Sequence, residues 1–302
     1  MAHSVFVIVL NYNGFFDTME CISSFHKTVS VEQVDYQILV VDNHSTDNSF
    51  SLFQDNLPES VILLQSPRNA GYAYGNNVGI KYALEHGADY ICILNNDTIV
   101  IENFLGPCIN LLKKNDQTAF VGPMLMNFND NLVQSTGGRL SIIMGKSYGL
   151  NDNIPINLIR EDIIECDVVY GAAMVFKSSL IQTIGLIPEN YFLFYEETEW
   201  CYKARQLGFK NYILTKTKII HKRSKSLKNL SDMQRYLMER NRTLFVKRNG
   251  TLIQLSLYLV FNFGRLLFRK FAHGISLLQY LRFCHDGLTE RFDPQYVKIM
   301  DD

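Results

Sequence analysis

The sequence predicts an α/β fold built on a largely parallel sheet. Two observations carry this prediction: short apolar runs alternate with helical segments through the first hundred residues, and each apolar run ends abruptly in polar residues. This alternation is typical of βαβ units, whose strands pair in parallel. The carboxyl ends of such strands share one edge of the sheet, and ligands bind in the crevice beyond that edge.

Four strands are expected in this part, because four apolar runs are separated by helical spacing, capping residues and turns. The runs are residues 4–10, 36–41, 61–64 and 89–94. The polar clusters that follow them are Asn11/Asn13, Asp42/Asn43, Arg68/Asn69 and Asn95/Asp97. We expect these four clusters to converge at one edge of the sheet.

After residue 100 the alternation weakens. Residues 120–123 read as a strand that ends in a turn, residues 132–150 as a hairpin, and residues 168–176 as a strand whose small central residues let another group approach closely. Short strands are expected at residues 212–214 and 218–221. Helices are expected at residues 104–114, 178–184, 196–208, 232–247 and 252–271, and then to about residue 284.

Length and composition are those of a globular protein. The 302 residues allow one large domain or two small ones. The predicted organisation is a domain of residues 1–226, divided into halves at residues 1–100 and 101–226, followed by a basic, amphipathic helical region of residues 227–302. Six cysteines without a C-x-x-C pair fit a reducing, cytosolic setting. No signal peptide is expected, because the apolar run at residues 6–10 is short and lacks a basic start.

Charge is divided unevenly along the chain. Residues 1–200 carry 9 Lys and Arg against 23 Asp and Glu, whereas residues 201–302 carry 20 against 7. The basic part either meets a polyanionic partner or neutralises the acidic part across a shared interface. The run at residues 252–263 is interrupted by polar residues, so we expect an in-plane membrane helix or a core helix rather than a membrane span.

Asp97 stands on a polar tip between apolar runs, where a carboxylate can hold Mg²⁺ or Mn²⁺ on a phosphate. The alternative is that Asp97 only caps the next helix. His221, at the end of a strand, is a candidate second ligand and would favour Mn²⁺. The following Lys222, Arg223 and Lys225 are candidates to neutralise a departing diphosphate.

Asp42 suits a base N–H or a ribose hydroxyl, and Asn11 and Asn13 flank the same crevice. Glu196 and Glu197 are candidate general bases, because the aromatic run before them can desolvate a carboxylate and raise its pKa. Acidic residues in a first helical turn are also favoured by the helix dipole alone. Consecutive helix residues do not share a face, so only one of the pair is expected to point into the crevice.

Five motifs, in this order, resemble the inverting family 2 glycosyltransferases, particularly the bacterial rhamnosyltransferase-like members. The resemblance covers roughly residues 4–226. The motifs are VDNHSTD from Val41, NAGYAYGNNVG from Asn69, LNND ending at Asp97, GAA from Gly171, and FYEETEWCYKAR around Glu197.

The resemblance implies a GT-A (Rossmann-like) fold with a mixed sheet, a nucleotide-diphosphate sugar donor and a divalent metal. It implies that Asp42 contacts the base, that Asp97 and His221 bind the metal, and that Glu197, with Glu196 as a substitute, is the catalytic base. Asn95 replaces the first Asp of the D-x-D pattern, and Glu197 replaces Asp. The residues expected at the nucleotide are Asn11, Asn13, Asp42, Arg68, Asn69, Gly71, Asn76, Asn95 and Asn96.

The expected function is metal-dependent transfer of a sugar, with rhamnose a family-weighted choice, from a dTDP or UDP donor to a saccharide or lipid-linked acceptor in bacterial cell-surface polysaccharide synthesis. The expected location is the cytoplasm or the inner face of the membrane, without nucleic acid. The alternatives are a sugar-phosphate nucleotidyltransferase and a noncatalytic nucleotide-sugar-binding module. The first normally needs a glycine-rich basic loop after the first strand, which residues 11–14 do not provide.

Overall fold

A computed structural model describes residues 4–30, 34–222, 231–269 and 276–297. The strands within these ranges are β1 Val5–Asn11, β2 Tyr36–Asp42, β3 Val61–Gln65, β4 Tyr90–Asn95, β5 Thr98–Val100, β6 Thr118–Asn127, β7 Leu132–Ser135, β8 Gly138–Ser141, β9 Lys146–Gly149, β10 Ile154–Pro155, β11 Ile163–Cys166, β12 Ala173–Lys177 and β13 Lys210–His221. The helices are α1 Phe15–Thr28, α2 Ser49–Asn56, α3 Tyr72–Glu85, α4 Leu105–Lys114, α5 Leu180–Ile184, α6 Glu196–Gln206, α7 Asp232–Asn249, α8 Leu252–Arg269 and α9 Leu277–Thr289.

One mixed sheet organises the molecule, in the order β10-β7-β6-β12-β4-β1-β2-β3. Strands β1, β2, β3 and β4 pair in parallel, as the alternation of strands and helices predicts. Strand β12 enters antiparallel between β4 and β6. Strand β13 runs parallel to β6 and also pairs with β5 and β11. The sequence therefore predicts the parallel half of the sheet, and the antiparallel strand β12 connects this half to β6.

Helices cover both faces of the sheet, because successive residues of β1 point to opposite sides. Val5, Val7 and Val9 pack with α1 and α4 in one core, and Phe6 and Ile8 pack with α3 and α6 in the other. All five residues are buried. Burial on both faces explains why the strands read as continuous apolar runs rather than as an alternating pattern.

Two predicted strands have different bounds in the structure. Strand β6 does not end at Pro123 but continues to Asn127, because the register of β13 shifts opposite Pro123. Leu214 pairs with Pro123 and Lys218 pairs with Met124, so the residue that lacks an N–H sits at an irregularity. The two strands predicted at residues 212–214 and 218–221 lie on either side of this irregularity and form one strand, β13. The predicted strand at residues 168–176 begins only at Ala173.

The C-terminal helices pack on the sheet part of the chain. Tyr191 shares an apolar cluster with Leu244, Phe245 and Val246 of α7. Arg248 of α7 forms an ion pair with Glu199 of α6 at 3.2 Å. Basic and acidic portions of the chain thus neutralise each other in part, which is one of the two explanations offered for the uneven charge.

Within the described ranges, none of the helices has both the length and the apolar character needed to cross a membrane.

Candidate active site

A buried hydrogen-bond network around Asp42 joins the loops that follow β1 and β2. Asn11 donates its amide to one carboxylate oxygen of Asp42 at 2.8 Å, and the Ser45 hydroxyl donates to the same oxygen at 2.5 Å. The other oxygen accepts the backbone N–H of Ser45 at 2.9 Å. Because Asn11 and Asp42 are fully buried, the network fixes the shape of this edge. A direct contact of Asp42 with a base or ribose stays a prediction.

Further hydrogen bonds connect the neighbouring loops. Asn13, with a φ of +52°, accepts the backbone N–H of Thr46 at 2.8 Å and donates to the Thr46 hydroxyl at 3.0 Å. Asn43 donates to the side-chain oxygen of Asn69 at 3.0 Å. The polar clusters after β1, β2 and β3 therefore meet at the carboxyl edge of the sheet, as the sequence predicts.

Gly71 is the point where the loop before α3 touches the loop before α6. Its φ is +99°, and a Cβ atom there would lie 2.2 Å from the carbonyl oxygen of Phe192. The same oxygen accepts the backbone N–H of Tyr72 at 2.7 Å. A glycine is required because any side chain would both strain the backbone and push the two loops apart.

We expect Gly71→Ala to lower the free energy of unfolding by about 2–5 kcal/mol, the sum of about 1–2 kcal/mol of left-handed strain and about 1–3 kcal/mol of overpacking. Gly208→Ala is the matched control, because Gly208 has a φ of +88° and a Cβ there would meet nothing within 4 Å. It should cost only the strain, about 1–2 kcal/mol. Urea unfolding of both variants measures the difference, and equal losses would contradict a tight contact at Phe192.

Tyr72 stands at the centre of the site. Its hydroxyl lies 3.1 Å from the side-chain oxygen of Asn95 and 2.9 Å from the carbonyl oxygen of Gly171. Burial raises the pKa of Tyr72 well above its ordinary value, and the charges of Glu196, Glu197 and Asp97 raise it further. Its hydroxyl thus contacts Asn95, two residues before Asp97, and its backbone N–H contacts the Phe192 carbonyl oxygen, four residues before Glu196. Tyr72 therefore joins the two segments that carry these three carboxylates.

Gly171 is small because of this hydroxyl, since a Cβ atom at Gly171 would lie 2.7 Å from it. The predicted close approach at residues 168–176 is thus a contact with a tyrosine side chain.

Asp97 and His221 are brought together by the pairing of β5 with β13, in which Thr98 faces His221. Oδ1 of Asp97 lies 3.2 Å from Nε2 of His221. Burial opposes the ionisation of Asp97, but the hydrogen bond and charge of His221 outweigh it, so the pKa of Asp97 lies below its ordinary value. The two predicted metal ligands are therefore neighbours, and Asp97 is ionised at neutral pH.

Gln134 determines how His221 faces Asp97. Nδ1 of His221 lies 2.7 Å from Oε1 of Gln134, and the Gln134 amide donates back to the His221 carbonyl oxygen at 3.3 Å. Nδ1 therefore donates to Gln134, and Nε2 faces the Asp97 carboxylate. Nε2 either carries a proton that it donates to that carboxylate or shares a metal ion with it, and a histidine ligand usually donates its other N–H in this way.

The donor set of one carboxylate and one imidazole fits a divalent metal that takes its other ligands from diphosphate and water. Within the described residues no group of three or more His, Cys, Asp or Glu side chains surrounds a common point. Among the described residues, Asp97 and His221 are the side chains that would hold it.

Lys222 is engaged elsewhere. Its ammonium group lies 2.7 Å from the Asp17 carboxylate and 2.5 Å from the Glu20 carboxylate on α1. Its charge is thus compensated within the protein, which argues against the predicted role at a diphosphate. Arg223 and Lys225 lie outside the described residues.

Glu196 and Glu197 begin α6 and differ in environment. Glu196 is only 3% exposed and its Oε2 atom has no hydrogen-bond partner, whereas Glu197 is partly exposed. Burial raises the pKa of Glu196 well above its ordinary value, and the charge of Glu197 adds to this. Burial also raises the pKa of Glu197, although the backbone N–H groups of Glu197 and Thr198 lower it in part. Both side chains are therefore weaker acids than an ordinary glutamate, and Glu197 is the more accessible of the two.

We expect Glu196→Gln to stabilise the protein at alkaline pH. A raised pKa in the folded state means that the stability contributed by protonated Glu196 is complete below about 4.5, its ordinary value, and is lost as the pH rises through the folded value. The amide removes that loss, so the Tm of the variant should exceed that of the parent at pH 8 and match it near pH 4.5. Thermal unfolding across this range tests the sign, and a Tm difference that does not depend on pH would contradict it.

The remaining predicted nucleotide residues lie around the same edge. Asn96 donates to the Thr18 hydroxyl at 3.1 Å, and Arg68 stacks over the ring of Tyr74 at 5.6 Å. Asn76 is fully buried, with a side-chain oxygen that has no partner. Their roles stay predictions. The sequence reasoning overlooked Tyr72, although it lies within the motif that begins at Asn69, and it had no signal for Gln134.

Comparison with known proteins decides the family. The family described as Glycosyl transferase family 2 matches residues 6–183, more than half of the chain. The chain belongs to glycosyltransferase family 2. It is therefore a glycosyltransferase, and the two alternative functions considered from the sequence are disfavoured.

Two relatives support this assignment to family 2. The dTDP-rhamnosyl transferase RfbF of Shigella flexneri is 24% identical over 267 residues, which cover 85% of this chain and 84% of the relative. A low-salt glycan biosynthesis hexosyltransferase of Haloferax volcanii is 25% identical over 207 residues, which cover 68% of this chain and 63% of the relative. The family 2 chain thus has a rhamnosyltransferase among its similar sequences.

Solved structures confirm the predicted GT-A fold with a mixed central sheet and C-terminal helices. GalNAc-T7 with UDP, GalNAc and Mn²⁺ superimposes with a TM-score of 0.67 at 15% identity, and the match covers 95% of this chain but 54% of that one. Staphylococcus aureus TarS 1–349 in complex with UDP gives a TM-score of 0.56 at 15% identity, with 95% and 79% covered. At these identities the likeness establishes the fold alone.

Proposed function

We propose that this family 2 enzyme is a metal-dependent, inverting glycosyltransferase that transfers a sugar, with rhamnose the first candidate, from a dTDP- or UDP-linked donor to an acceptor hydroxyl. The observation that carries the proposal is the position of Tyr72, whose hydroxyl contacts Asn95 beside Asp97 and whose backbone N–H contacts the loop that leads into Glu196 and Glu197. The rhamnosyltransferase relative and the neighbours solved with UDP or Mn²⁺ support the donor class and the metal.

The reaction is a single displacement. Glu197 takes the proton of the acceptor hydroxyl as its oxygen attacks the anomeric carbon on the face opposite the nucleotide. The bond from that carbon to the phosphate oxygen breaks, and the nucleoside diphosphate leaves with the electron pair. Glu197 suits this role because it is partly exposed while burial raises its pKa, which strengthens it as a base.

Asp97 and His221 would hold a Mg²⁺ or Mn²⁺ ion on the donor diphosphate, with Gln134 orienting the imidazole. When bound, the ion neutralises charge that develops on the leaving diphosphate. Asn11, Asp42 and Ser45 shape the edge where the base and ribose would lie, and Asn95 is kept in place by the Tyr72 hydroxyl.

We propose that the chain divides at residue 226 into a part that binds donor and acceptor, before this residue, and a helical part that supports it, after this residue.

The acceptor is proposed to be a saccharide or lipid-linked saccharide of a bacterial cell-surface polysaccharide, received at the cytoplasmic face of the membrane. The exposed side of α8 and α9 supports this location, because Leu252, Ile253 and Val260 are 72–84% exposed and Leu278 is 79% exposed. Residues 252–262 carry no charge, while Arg265, Arg269 and Lys270 follow in the sequence.

Binding to vesicles of phosphatidylserine and phosphatidylcholine at low salt should be strong for the parent and weakened about a hundredfold or more by Leu252→Ser with Val260→Ser, because each large apolar side chain contributes about 1.5–3 kcal/mol on burial. Sedimentation with vesicles measures this. If the parent does not bind, or if the variant binds equally well, the membrane location is wrong; self-association through this side would instead appear as a concentration-dependent mass in the absence of lipid.

A thermal-shift screen tests the donor and metal together. We expect dTDP-rhamnose with Mn²⁺ to give the largest rise in Tm among dTDP-, UDP- and GDP-sugars, since a ligand at 100 times its Kd stabilises by about 2.7 kcal/mol. Equal shifts with and without Mn²⁺ would contradict metal dependence. The absence of a shift with any sugar nucleotide would contradict the proposed donor class.

A further inference from the structure

The segment of residues 190–195, here called the aromatic loop, holds an unusual backbone conformation. Phe192, Phe194 and Tyr195 have φ values of 65°, 70° and 77°, although none of them is glycine. Bulky residues adopt this left-handed region at a cost of about 1–2 kcal/mol each. The loop leads directly into Glu196 and Glu197, so some other part of the chain must hold a strained backbone in place beside the reacting groups.

Asn241, in the middle of α7, makes the contacts that hold it. Its amide nitrogen lies 2.8 Å from the carbonyl oxygens of Tyr191 and Leu193 and 3.0 Å from that of Phe194, and its two N–H bonds are shared among these three acceptors. Asn241 is fully buried. The amide thus binds three carbonyl oxygens of the segment that contains the positive φ values, and these contacts stabilise its conformation.

Arg240 fixes the orientation of that amide. Its Nη1 atom lies 2.8 Å from the side-chain oxygen of Asn241, which leaves the amide nitrogen facing the aromatic loop. The same atom donates to the carbonyl oxygen of Asn190 at 2.6 Å, and the guanidinium stacks over the ring of Phe292 at 4.0 Å. Arg240 is itself fully buried. Arg240 thus hydrogen-bonds to the start of the aromatic loop, and Asn241 hydrogen-bonds to the residues that follow.

The aromatic loop also reaches both halves of the proposed reaction. The Phe192 carbonyl oxygen accepts the N–H of Tyr72, the residue that opens α3 after the motif at Asn69. The loop ends at Tyr195, the N-cap of α6, directly before Glu196 and Glu197. A shift of this loop would therefore move the start of α6, whereas the segment before α3 is also held by Asn43, whose amide donates to Asn69 at 3.0 Å and to the Gly71 carbonyl oxygen at 3.2 Å.

We propose that Asn241 is a positioning residue of this enzyme: by holding the aromatic loop in its left-handed conformation, it sets the position of Glu197 against the donor edge. The inference rests on the proposed role of Glu197 as the base. Asn241 is fully buried and its amide contacts the backbone of the aromatic loop, so its loss should impair the chemical step more than nucleotide binding.

Asn241→Ala removes all three hydrogen bonds and should lower kcat about 100-fold, the effect of a misplacement near 1 Å. The affinities for dTDP and UDP with Mn²⁺, measured by calorimetry, should stay within about threefold of the parent. Asn211→Ala is the matched control, because Asn211 is equally buried and donates its amide to the Asp167 carbonyl oxygen at 2.9 Å, away from the loop. It should lose stability and keep its kcat.

If Asn241→Ala does not fold, Asn241→Ser, which keeps one short donor, is measured at a temperature well below its Tm. A kcat close to that of the parent in the folded variant, or a matching loss of kcat in Asn211→Ala, would overturn the inference and leave Asn241 a stabilising residue only. Failure of the proposed base is a different result: Glu197→Gln would then remain active while Asn241 variants could still be slow.

Discussion

Glu197→Gln should abolish sugar transfer while nucleotide affinity stays nearly unchanged. General-base catalysis contributes about 10²–10⁴-fold, so we expect kcat to fall by about 10³-fold or more. The amide has nearly the shape of the carboxylate but cannot accept the acceptor proton. Because the partly exposed Glu197 lies at the start of α6 beside the buried Glu196, the substitution removes the base without opening the core.

Glu196→Gln is the control for this experiment, since it makes the same chemical change one residue earlier. Turnover is measured by release of nucleoside diphosphate in the presence of acceptor, and nucleotide affinity by calorimetry with dTDP and UDP. Retained turnover in Glu197→Gln, together with its loss in Glu196→Gln, would move the role to Glu196. Retained turnover in both would leave the proton to solvent.

Asp97→Asn should have the second large effect, a loss of Mn²⁺ affinity and of transfer together. Changing an outer-shell partner of a metal ligand typically costs 10–100-fold in affinity, and a ligand carboxylate should cost at least as much. Gln134→Ala should fall in the 10–100-fold range, because it leaves His221 present but unoriented. Titration of Mn²⁺ in the presence of UDP, followed by electron paramagnetic resonance, measures both.

Asp17→Asn is the matched control for Asp97→Asn. Asp17 is a nearby carboxylate that pairs with Lys222, and its side chain is 53% exposed. It should leave Mn²⁺ affinity within about twofold. If Asp97→Asn binds Mn²⁺ as the parent does, or if chelator leaves transfer by the parent intact, the metal assignment fails.

The sequence predicted the parallel half of the fold because its signals are local. Each of β1, β2 and β4 is a continuous apolar run that ends in a polar residue, and burial on both faces of the sheet produces that pattern directly. The position of Asp97 at a strand end followed from the same rule.

The rest depends on contacts between distant parts of the chain. Strand β5 has three residues, too few to be recognised, and exists through its pairing with β13. That pairing, rather than anything near Asp97 in sequence, puts His221 beside it. The aromatic loop contains no glycine, so the sequence gives no local sign of its left-handed residues. The hydrogen bonds that hold these residues come from Asn241, about fifty residues later.

The hydrogen bonds from α7 to the aromatic loop limit which segments can be exchanged between related enzymes. The family match ends at residue 183, before the loop, the two glutamates and α7. A hybrid that imports residues 6–183 from another enzyme would set a foreign sheet against this chain's own loop, where a side chain in place of Gly71 meets the backbone of Phe192. Segments from Asn69 to Tyr72, from Asn190 to Glu197 and around Asn241 should be inherited as a unit.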